Sequence, residues 1–200
     1  MNRKNYTLIG LLFLAFSNSL FSQEAISTQT APPKEFTITK VQGLTNFIVV
    51  ICEGKNKEEL YKKTIEWINK NYNKPSEVIK AQVENDYIRF QGISSEEIYC
   101  SNNIVKVCSN IKYDIEISFK DGKYKFAVLG LENNGKDLRG IPHWGELNFI
   151  NSWTHFKKDG EVRKMYQDAI NSVSGYFNNL SKSLYDYIYN QNNAAKKDNW

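Results

Sequence analysis

The sequence predicts an α+β domain of two layers, in which an antiparallel sheet carries helices on one face. Two stretches that alternate apolar and polar side chains around short polar turns are typical of β-hairpins. A helix with an apolar stripe precedes the first hairpin, and a longer one lies near the end of the chain. The predicted order is therefore β-α-β-β-β-β-α, with an insert before the last helix.

Residues 1–22 have the composition of a secretory signal peptide. Arg3 and Lys4 precede the uncharged run "TLIGLLFLAF", and small polar residues follow it. The run is too short for a bilayer-spanning helix, which needs about 20 apolar residues. No cysteine follows it to carry a lipid anchor. We therefore expect a cleaved signal, a periplasmic or secreted chain, and no transmembrane segment in the mature protein; the alternative is an uncleaved anchor.

The remaining residues, about 175, suit one domain with its own core. Residues 23–42 are polar, contain a Pro-Pro pair and lack periodicity, so we expect a flexible segment. We place a single domain at 43–191 and a polar tail at 192–200. The formal net charge is +4, or +2 without the two signal-peptide cations, and Lys and Glu are interleaved. This balance gives no electrostatic reason to expect nucleic-acid binding.

The first strand of the domain, within "LTNFIVVICEG" (residues 44–54), is apolar on both faces. A strand with one wet face would alternate, so we expect this strand to be covered on both sides. One face carries Phe47, Val49 and Ile51, and the other carries Ile48, Val50 and Cys52.

The helix that follows, "NKEELYKKTIEWINKNY", has Asn56 to cap its first turn and Glu59 in position to complete a capping box. Pro75 blocks its continuation. Apolar side chains at three- and four-residue spacing predict its core face. That face comprises Tyr61, Ile65, Ile68 and Tyr72, with Leu60, Thr64 and Trp67 beside them.

Both hairpins have a predicted register. We place the first turn at Asn85-Asp86 in "EVIKAQVENDYIRFQG" and the second at Asp121-Gly122 in "YDIEISFKDGKYKFAV". Each apolar cross-strand pair stabilises the sheet by about 0.2–1 kcal/mol relative to an alanine pair. The predicted pairs are Val83–Ile88, Ala81–Phe90 and Ile79–Gly92, then Phe119–Tyr124, Ile117–Phe126 and Ile115–Val128.

The connection between the hairpins contains two of the three cysteines. A disulfide between Cys100 and Cys108 would close a small ring, and the alternative is two free thiols, because loop geometry decides between them. We expect a short strand at 104–107. Cys52 lies in an apolar run and is predicted to pack in the core.

The last part of the domain consists of an insert and a long helix. The insert, at about 132–159, is rich in aromatic residues, including Trp144 and Trp153, and is expected to fold over one sheet face. The helix, at about 161–189, would measure about 43 Å, which exceeds the length of eight- or nine-residue strands. We therefore expect its C-terminal end to overhang the sheet.

No motif for catalysis, cofactor binding or metal binding is found. His143 and His155 are twelve residues apart, which fits no compact zinc motif. Ser152 or Ser109 could pair with either histidine, but neither serine lies in a Gly-x-Ser-x-Gly context. There is no glycine-rich phosphate loop either. We therefore expect a non-enzymatic protein without catalytic, cofactor-binding or metal-binding residues.

Three segments resemble a known family. They are the helix from "EELY" to Trp67, the strand start "KPSEVIKA" and the hairpin "YDIEISFKDGKYKF". Over about 90 residues, Gly43 to roughly Leu131, the chain resembles an uncharacterised exported Bacteroidota family, domain of unknown function 4468, with a TBP-like fold. The resemblance implies that fold, in the same element order, and no activity, cofactor or catalytic residue.

The favoured function is a protein-interaction or structural module of the cell envelope, with an unknown protein partner or a second copy of the chain. The alternatives are a binder of a small apolar or envelope-derived ligand between insert and sheet and, more remotely, an envelope hydrolase that uses His143 or His155. The candidate interaction surface comprises Phe47, Val49, Ile51, Trp144, Trp153, Leu184, Tyr185 and Ile188.

Overall fold

The computed structural model describes residue 31 and residues 33–136 and 139–190; the predicted signal peptide and polar tail lie outside them. The predicted α+β class, with an antiparallel sheet and helices, is confirmed. The strands are β1 (Ile38–Thr39), β2 (Gly43–Leu44), β3 (Phe47–Ile51), β4 (Ile79–Val83), β5 (Tyr87–Ile93), β6 (Tyr99–Asn102), β7 (Lys106–Ser109), β8 (Ile111–Lys120), β9 (Lys123–Lys136) and β10 (Pro142–Glu146). The helices are α1 (Lys57–Asn71), α2 (Pro75–Val78) and α3 (Gln167–Asn190), with a 3₁₀ turn at Lys164–Tyr166.

The main sheet has six strands, and two of them share one edge of β9. Strands β4, β5, β8 and β9 are neighbours in that order. On the outer edge of β9, β3 pairs with residues 123–127 and β10 pairs with residues 132–136. Between these two, Leu129 is an extra residue, because Ile115 pairs with Val128 while Asp114 pairs with Gly130. This β-bulge bends the strand where its two edge partners separate.

The β8–β9 hairpin has the predicted register. Phe119 pairs with Tyr124, Ile117 with Phe126 and Ile115 with Val128. Gly122 supplies the positive φ of 76° that the Asp-Gly turn requires. All six paired side chains except Val128 are buried against the helices. The polar side chains between them form the open face of the sheet, which carries no helix.

The predicted register of the β4–β5 hairpin is wrong by one residue on β4. Val83 pairs with Tyr87, so the loop has three residues, and Val83 lies on the open face with 48% exposure. Asn85 adopts φ 60°, and the Asp86 N–H donates to the Val83 carbonyl (3.1 Å). The Asp86 carbonyl in turn accepts from the Phe119 N–H (2.8 Å). This bond to β8 fixes Asp86 outside the two-residue turn that the local sequence favours.

Helix α1 begins as predicted, because the Asn56 side chain accepts a hydrogen bond from the Glu59 N–H (2.8 Å). Its buried residues belong to the predicted core face, although Tyr61 and Ile65 are only half-buried. The buried residues are Leu60, Thr64, Trp67 and Ile68.

The last helix starts later than predicted and does not overhang. The 3₁₀ turn precedes α3, so the α-helix begins only at Gln167. Leu184 and Ile188 are buried, at 0% and 1% exposure. This end of α3 packs beside α1, where the Trp67 indole N–H donates to the Ser183 hydroxyl (3.1 Å). Leu184 and Ile188 are therefore core residues, and their side chains are unavailable to a partner.

The segment before β3, predicted to be flexible through residue 42, is anchored to the core by Phe36 and Ile38. Phe36 is 1% exposed and contacts the Phe126 ring edge-on (5.8 Å between centroids). Its backbone N–H and C=O both bond to the Asn178 side chain, at 2.7 Å and 3.0 Å. Two apolar residues, Phe36 and Ile38, are sufficient to bring this polar segment into the core.

The predicted insert begins as part of the sheet. Strand β9 continues to Lys136, and β10 forms an added edge strand instead of a cover over a sheet face. Farther along, Leu147, Phe149 and Phe156 are buried in the core, which agrees with the packed insert expected from its aromatic content.

A small two-stranded sheet of β6 and β7, separate from the similar β1–β2 pair, replaces the strand predicted at 104–107. Strands β6 and β7 pair antiparallel, with Cys100 opposite Cys108, and the structure joins these cysteines by a disulfide. Ile104 lies in the turn between them. Cys52 is a free, buried cysteine.

Gly92 is predicted to be essential for packing against Tyr113. A Cβ at Gly92 would lie 2.5 Å from Tyr113 Cζ, and the Tyr113 hydroxyl is itself bonded to those of Tyr72 and Tyr176 (3.0 Å each). Gly92→Ala should therefore lower the free energy of unfolding by about 1–3 kcal/mol, measured by urea denaturation. Gly130→Ala is the control, because its Cβ would meet only Asp114 Oδ2 at 3.6 Å. Equal losses in both variants would contradict the packing argument.

Candidate functional site

The eight predicted surface residues do not form one site. Phe47, Val49 and Ile51, here named the β3 row, lie together on the open face at the edge of the sheet. Trp144 lies on β10 and Trp153 in the loop after it. Of the three α3 residues, only Tyr185 is exposed, at 38%.

The backbone of β3 has an unpaired outer edge. The Val128 N–H donates to the Asn46 carbonyl (3.0 Å), and the Cys52 N–H donates to the Gly122 carbonyl (2.7 Å). Hydrogen-bonded pairs alternate along an antiparallel ladder, so the even-numbered residues of β3 bond to β9. The N–H and C=O groups of the β3 row therefore point outward, and the described chain supplies no partner for them.

The side chains of β3 differ between its two faces. Ile48 is buried at 3% exposure, whereas Phe47 and Ile51 are 39% and 56% exposed. The expectation that both faces are covered is thus wrong, because the helices lie on one face only. The strand presents apolar side chains and unpaired backbone groups at the same edge.

A lysine cluster, Lys120, Lys123 and Lys125, lies next to the β3 row on the open face. With Val49 and Ser118 it lines a depression of about 360 Å³. None of the three ammonium groups forms an ion pair within the described residues, and Lys125 lies over the Phe47 ring (5.9 Å to the centroid).

Acidic side chains lie at the opposite half of the open face. A groove of about 460 Å³ separates β3 from β10 and includes Asp114, Glu132 and Glu146. Glu132 is paired with Lys112 (2.7 Å), whose ammonium also lies over the Trp144 ring (5.1 Å). The sequence predicts mixed charges on this face. The structure places the three lysines, without an ion pair among the described residues, at one end beside Asp86, whereas the other half carries both signs.

Trp153 is the more exposed of the two predicted tryptophans, at 63%. The Lys40 ammonium lies 4.5 Å from its ring centroid, and Arg163 Nε donates to its carbonyl (2.9 Å). These contacts join the loop to the β1–β2 turn and to the start of α3. The ring therefore has a structural role besides its exposed area.

His155 is buried at 4% exposure and links the insert to β6. Its Nδ1 bonds to the Ser152 hydroxyl (2.6 Å) and its Nε2 to the Tyr99 hydroxyl (2.7 Å). The rings of Phe149 and Tyr166 lie 4.8 Å from it. Burial lowers the pKa of the imidazole, because the charged form loses hydration.

One of the serine–histidine pairs considered from sequence, Ser152 with His155, is thus formed. In a hydrolase triad a carboxylate holds the second imidazole nitrogen, and here the Tyr99 hydroxyl occupies that position. Residues 33–136 and 139–190 also contain no group of three or more His, Cys, Asp or Glu side chains placed to hold a metal. This geometry favours a structural link over a catalytic pair.

The Cys52 thiol is expected to be unreactive. Burial raises the pKa of its thiol to about 11, although a hydrogen bond with Tyr189 and the charge of Lys55 oppose the shift. At neutral pH the sulfur is therefore protonated and a poor nucleophile. Its predicted role in core packing agrees with its 0% exposure.

Two surface features were missed by sequence reasoning. One is the place of the lysine cluster. The predicted β8–β9 register already places the three lysines on one face, but it does not show that β3 lies beside them. The other is the β6–β7 turn, where Ile104, Val105 and Val107 are 97%, 69% and 63% exposed. The run "NNIVKV" suggested a strand because β-branched residues favour that state.

Comparison with known proteins places part of the chain in a family. Residues 48–132, from β3 into β9, match the family model "Domain of unknown function (DUF4468) with TBP-like fold". This segment belongs to the DUF4468 family. The predicted family is therefore confirmed, and the matched segment includes Val49 and Ile51 of the β3 row, the lysine cluster and the β6–β7 hairpin, whereas Phe47 lies just before it. The remainder of β9, β10 and α3 lie outside it.

Two solved structures resemble this chain. One is a DUF4468 family protein from Bacteroides ovatus ATCC 8483, with 12% identity and a TM-score of 0.56, covering 72% of this chain and 84% of that one. The other is a TBP-like protein from Parabacteroides distasonis ATCC 8503, with 16% identity, a TM-score of 0.48, and coverage of 72% and 91%. At such identities the first likeness supports the fold alone. No curated protein matches the chain.

The described part of the chain has no helix that combines the length and apolar character needed to span a membrane.

Burial of His155 predicts a loss of stability in acid. The unfolded chain protonates this side chain near its ordinary pKa of about 6.5, whereas the folded chain does so only at lower pH. Below about pH 6.5 the unfolded state binds more protons than the folded state. The free energy of unfolding should therefore decrease as the pH is lowered below this value, and it should be fully retained above it. Urea denaturation above and below this pH measures the change in the free energy of unfolding.

The His155→Gln variant should lose less stability on acidification than the wild type, since it cannot take up this proton. Ser152→Ala keeps the imidazole and should retain the acid sensitivity. The same loss in wild type and His155→Gln would contradict the assignment.

Proposed function

We propose that this protein is a non-enzymatic interaction module, exported to the cell envelope, that binds a protein partner along β3. The observation that supports this proposal is the coincidence of outward backbone groups with the exposed side chains of Phe47 and Ile51 on one strand. An added strand would satisfy these N–H and C=O groups and cover the apolar row, which is recognition by β-augmentation.

Strands β3 and β4, at opposite edges of the sheet, differ in how they are protected. Natural edge strands commonly carry lysine, proline or a bulge, which discourage pairing with another chain. Strand β4 has a register shift between Ile79 and Ala81, and Lys80 lies at that point. Within Phe47–Ile51 there is no charge, proline or bulge. Strand β3 is therefore the edge suited to a partner.

A second copy of the chain is one partner that fits. Two β3 strands pairing antiparallel about Val49 would place Phe47 of one copy beside Ile51 of the other. Such an interface is self-complementary, as in two-fold symmetric dimers. The outward N–H and C=O of Val49 would bond to the C=O and N–H of Val49 in the second copy. This strand register is therefore compatible with two-fold symmetry.

The groove between β3 and β10 supports a second candidate function, the binding of a small apolar ligand between insert and sheet. Leu44, Leu129 and Phe149 line it together with Ile150. Native mass spectrometry of protein purified from its own host would show the added mass of a ligand. Repeated recovery of the bare chain would count against this candidate.

The β3 proposal is tested by photocrosslinking in cells that produce the full chain. A photoreactive residue at Ile51 should give adducts with a protein partner, whereas one at Val83 should not. Both positions lie on the open face with similar exposure, 56% and 48%, but on opposite edges. An adduct of twice the chain mass identifies a second copy, and any other mass identifies a different protein.

Val49→Pro provides a further comparison. It removes an outward N–H and leaves the bonds to β9, so the fold should persist while the Ile51 adduct is lost. Circular dichroism and thermal unfolding check the fold. Equal crosslinking at Ile51 and Val83, or crosslinks only within one chain, would contradict the proposal.

A further inference from the structure

The turn of the β6–β7 hairpin carries a small exposed apolar tip. Ile104, Val105 and Val107, here named the hairpin tip, are 97%, 69% and 63% exposed. Single exposed aliphatic residues are common on protein surfaces, but three within four positions at the end of a hairpin are a contiguous patch. None of them contributes to the core of the domain.

The base of this hairpin is firmly held. The Cys100–Cys108 disulfide links β6 to β7, and Tyr99 bonds to the buried His155 (2.7 Å). Asn102 Nδ2 donates to Asp168 Oδ2 at the start of α3 (2.6 Å). The tip is therefore presented on an ordered support, and little conformational entropy remains to be lost when it binds.

The segment that forms the tip carries one positive charge, and the nearest acid named above, Asp168, is bonded to Asn102. Lys106 lies between Val105 and Val107, and the sequence from Ser101 to Asn110 contains no acidic residue. Aliphatic side chains flanking a lysine suit an anionic lipid surface, because the apolar groups enter the acyl boundary while the ammonium stays among the headgroups.

We propose that the hairpin tip inserts into the interface of an anionic phospholipid bilayer. A lipid surface fits better than a pocket on another protein, because the tip lacks the Trp, Tyr and Arg side chains that dominate protein hot spots. Three aliphatic side chains and one lysine are a weak anchor, so the attachment is reversible. It needs neither β3 nor its partner.

The test is cosedimentation of the purified chain, signal peptide removed, with vesicles of phosphatidylcholine alone or mixed with phosphatidylglycerol. The wild type should bind the mixed vesicles more tightly. The double variant Ile104→Ser/Val105→Ser should lose about tenfold or more in affinity for them. Lys106→Gln should lose about fivefold for the mixed vesicles and little for neutral ones.

Val41→Ser is the matched control. Val41 is 75% exposed and lies in the β1–β2 turn, so this variant removes an exposed valine comparable to Val105 alone (69%) at another place. Its affinity should equal that of the wild type. Because the tip side chains touch no core residue, thermal unfolding should be unchanged in all variants, which separates lost binding from lost folding.

Three results would overturn the proposal. These are no binding of the wild type to either vesicle, equal binding by wild type and double variant, or an equal loss in Val41→Ser. A photoreactive residue at Ile104 that labels a protein in cells, while vesicle binding is absent, would assign the tip to a protein pocket instead.

Discussion

The pairing of β8 with β9 is the constraint on which the rest of the fold depends. Strand β8 alternates buried and polar side chains over ten residues, and β9 continues for fourteen. On one side this hairpin carries β5 and then β4; on the other, the surplus length of β9 accommodates both β3 and β10. The bulge at Leu129 falls between those two strands. The open edge of β3 and the groove beside it therefore both follow from one long strand with two partners.

Much of this arrangement could be predicted because its determinants are local. The Asp-Gly turn and strict alternation fix the β8–β9 register, and the Asn56 cap fixes the start of α1. The failures involve contacts between distant residues. The bond from Asp86 to Phe119 shifts the first hairpin, and the bonds between Phe36 and Asn178 join positions 142 apart in sequence. No pattern within a short window contains such contacts.

The candidate surfaces likewise divide into those that local sequence predicts and those that depend on the packing of distant segments. The β3 row was found because a strand that is apolar on both faces is unusual. The prediction that both faces are covered was wrong, since periodicity does not show which face packs against a helix. Leu184 and Ile188 were assigned to an overhang because the helix was predicted too long and the strands too short. The place of the lysine cluster beside β3 becomes visible only when the strand order is known, and the hairpin tip only when the β6–β7 turn is known. The exposure of a side chain and the charges near it depend on its position in the fold, whereas the sequence gives only its residue type.

The two surfaces proposed to bind differ in the geometry that they demand. Backbone groups at β3 require another strand in register, and a second copy paired there would hide the one unprotected edge of each sheet. The remaining edges are β4, with its bulge and Lys80, and β10, whose five residues include Pro142 and Gly145. Both are poor templates for a further strand. Association through β3 would consequently stop at two chains, whereas an uncovered β3 would stay open to pairing with a strand of another protein. The hairpin tip has no such directional requirement, because aliphatic side chains need only an apolar environment.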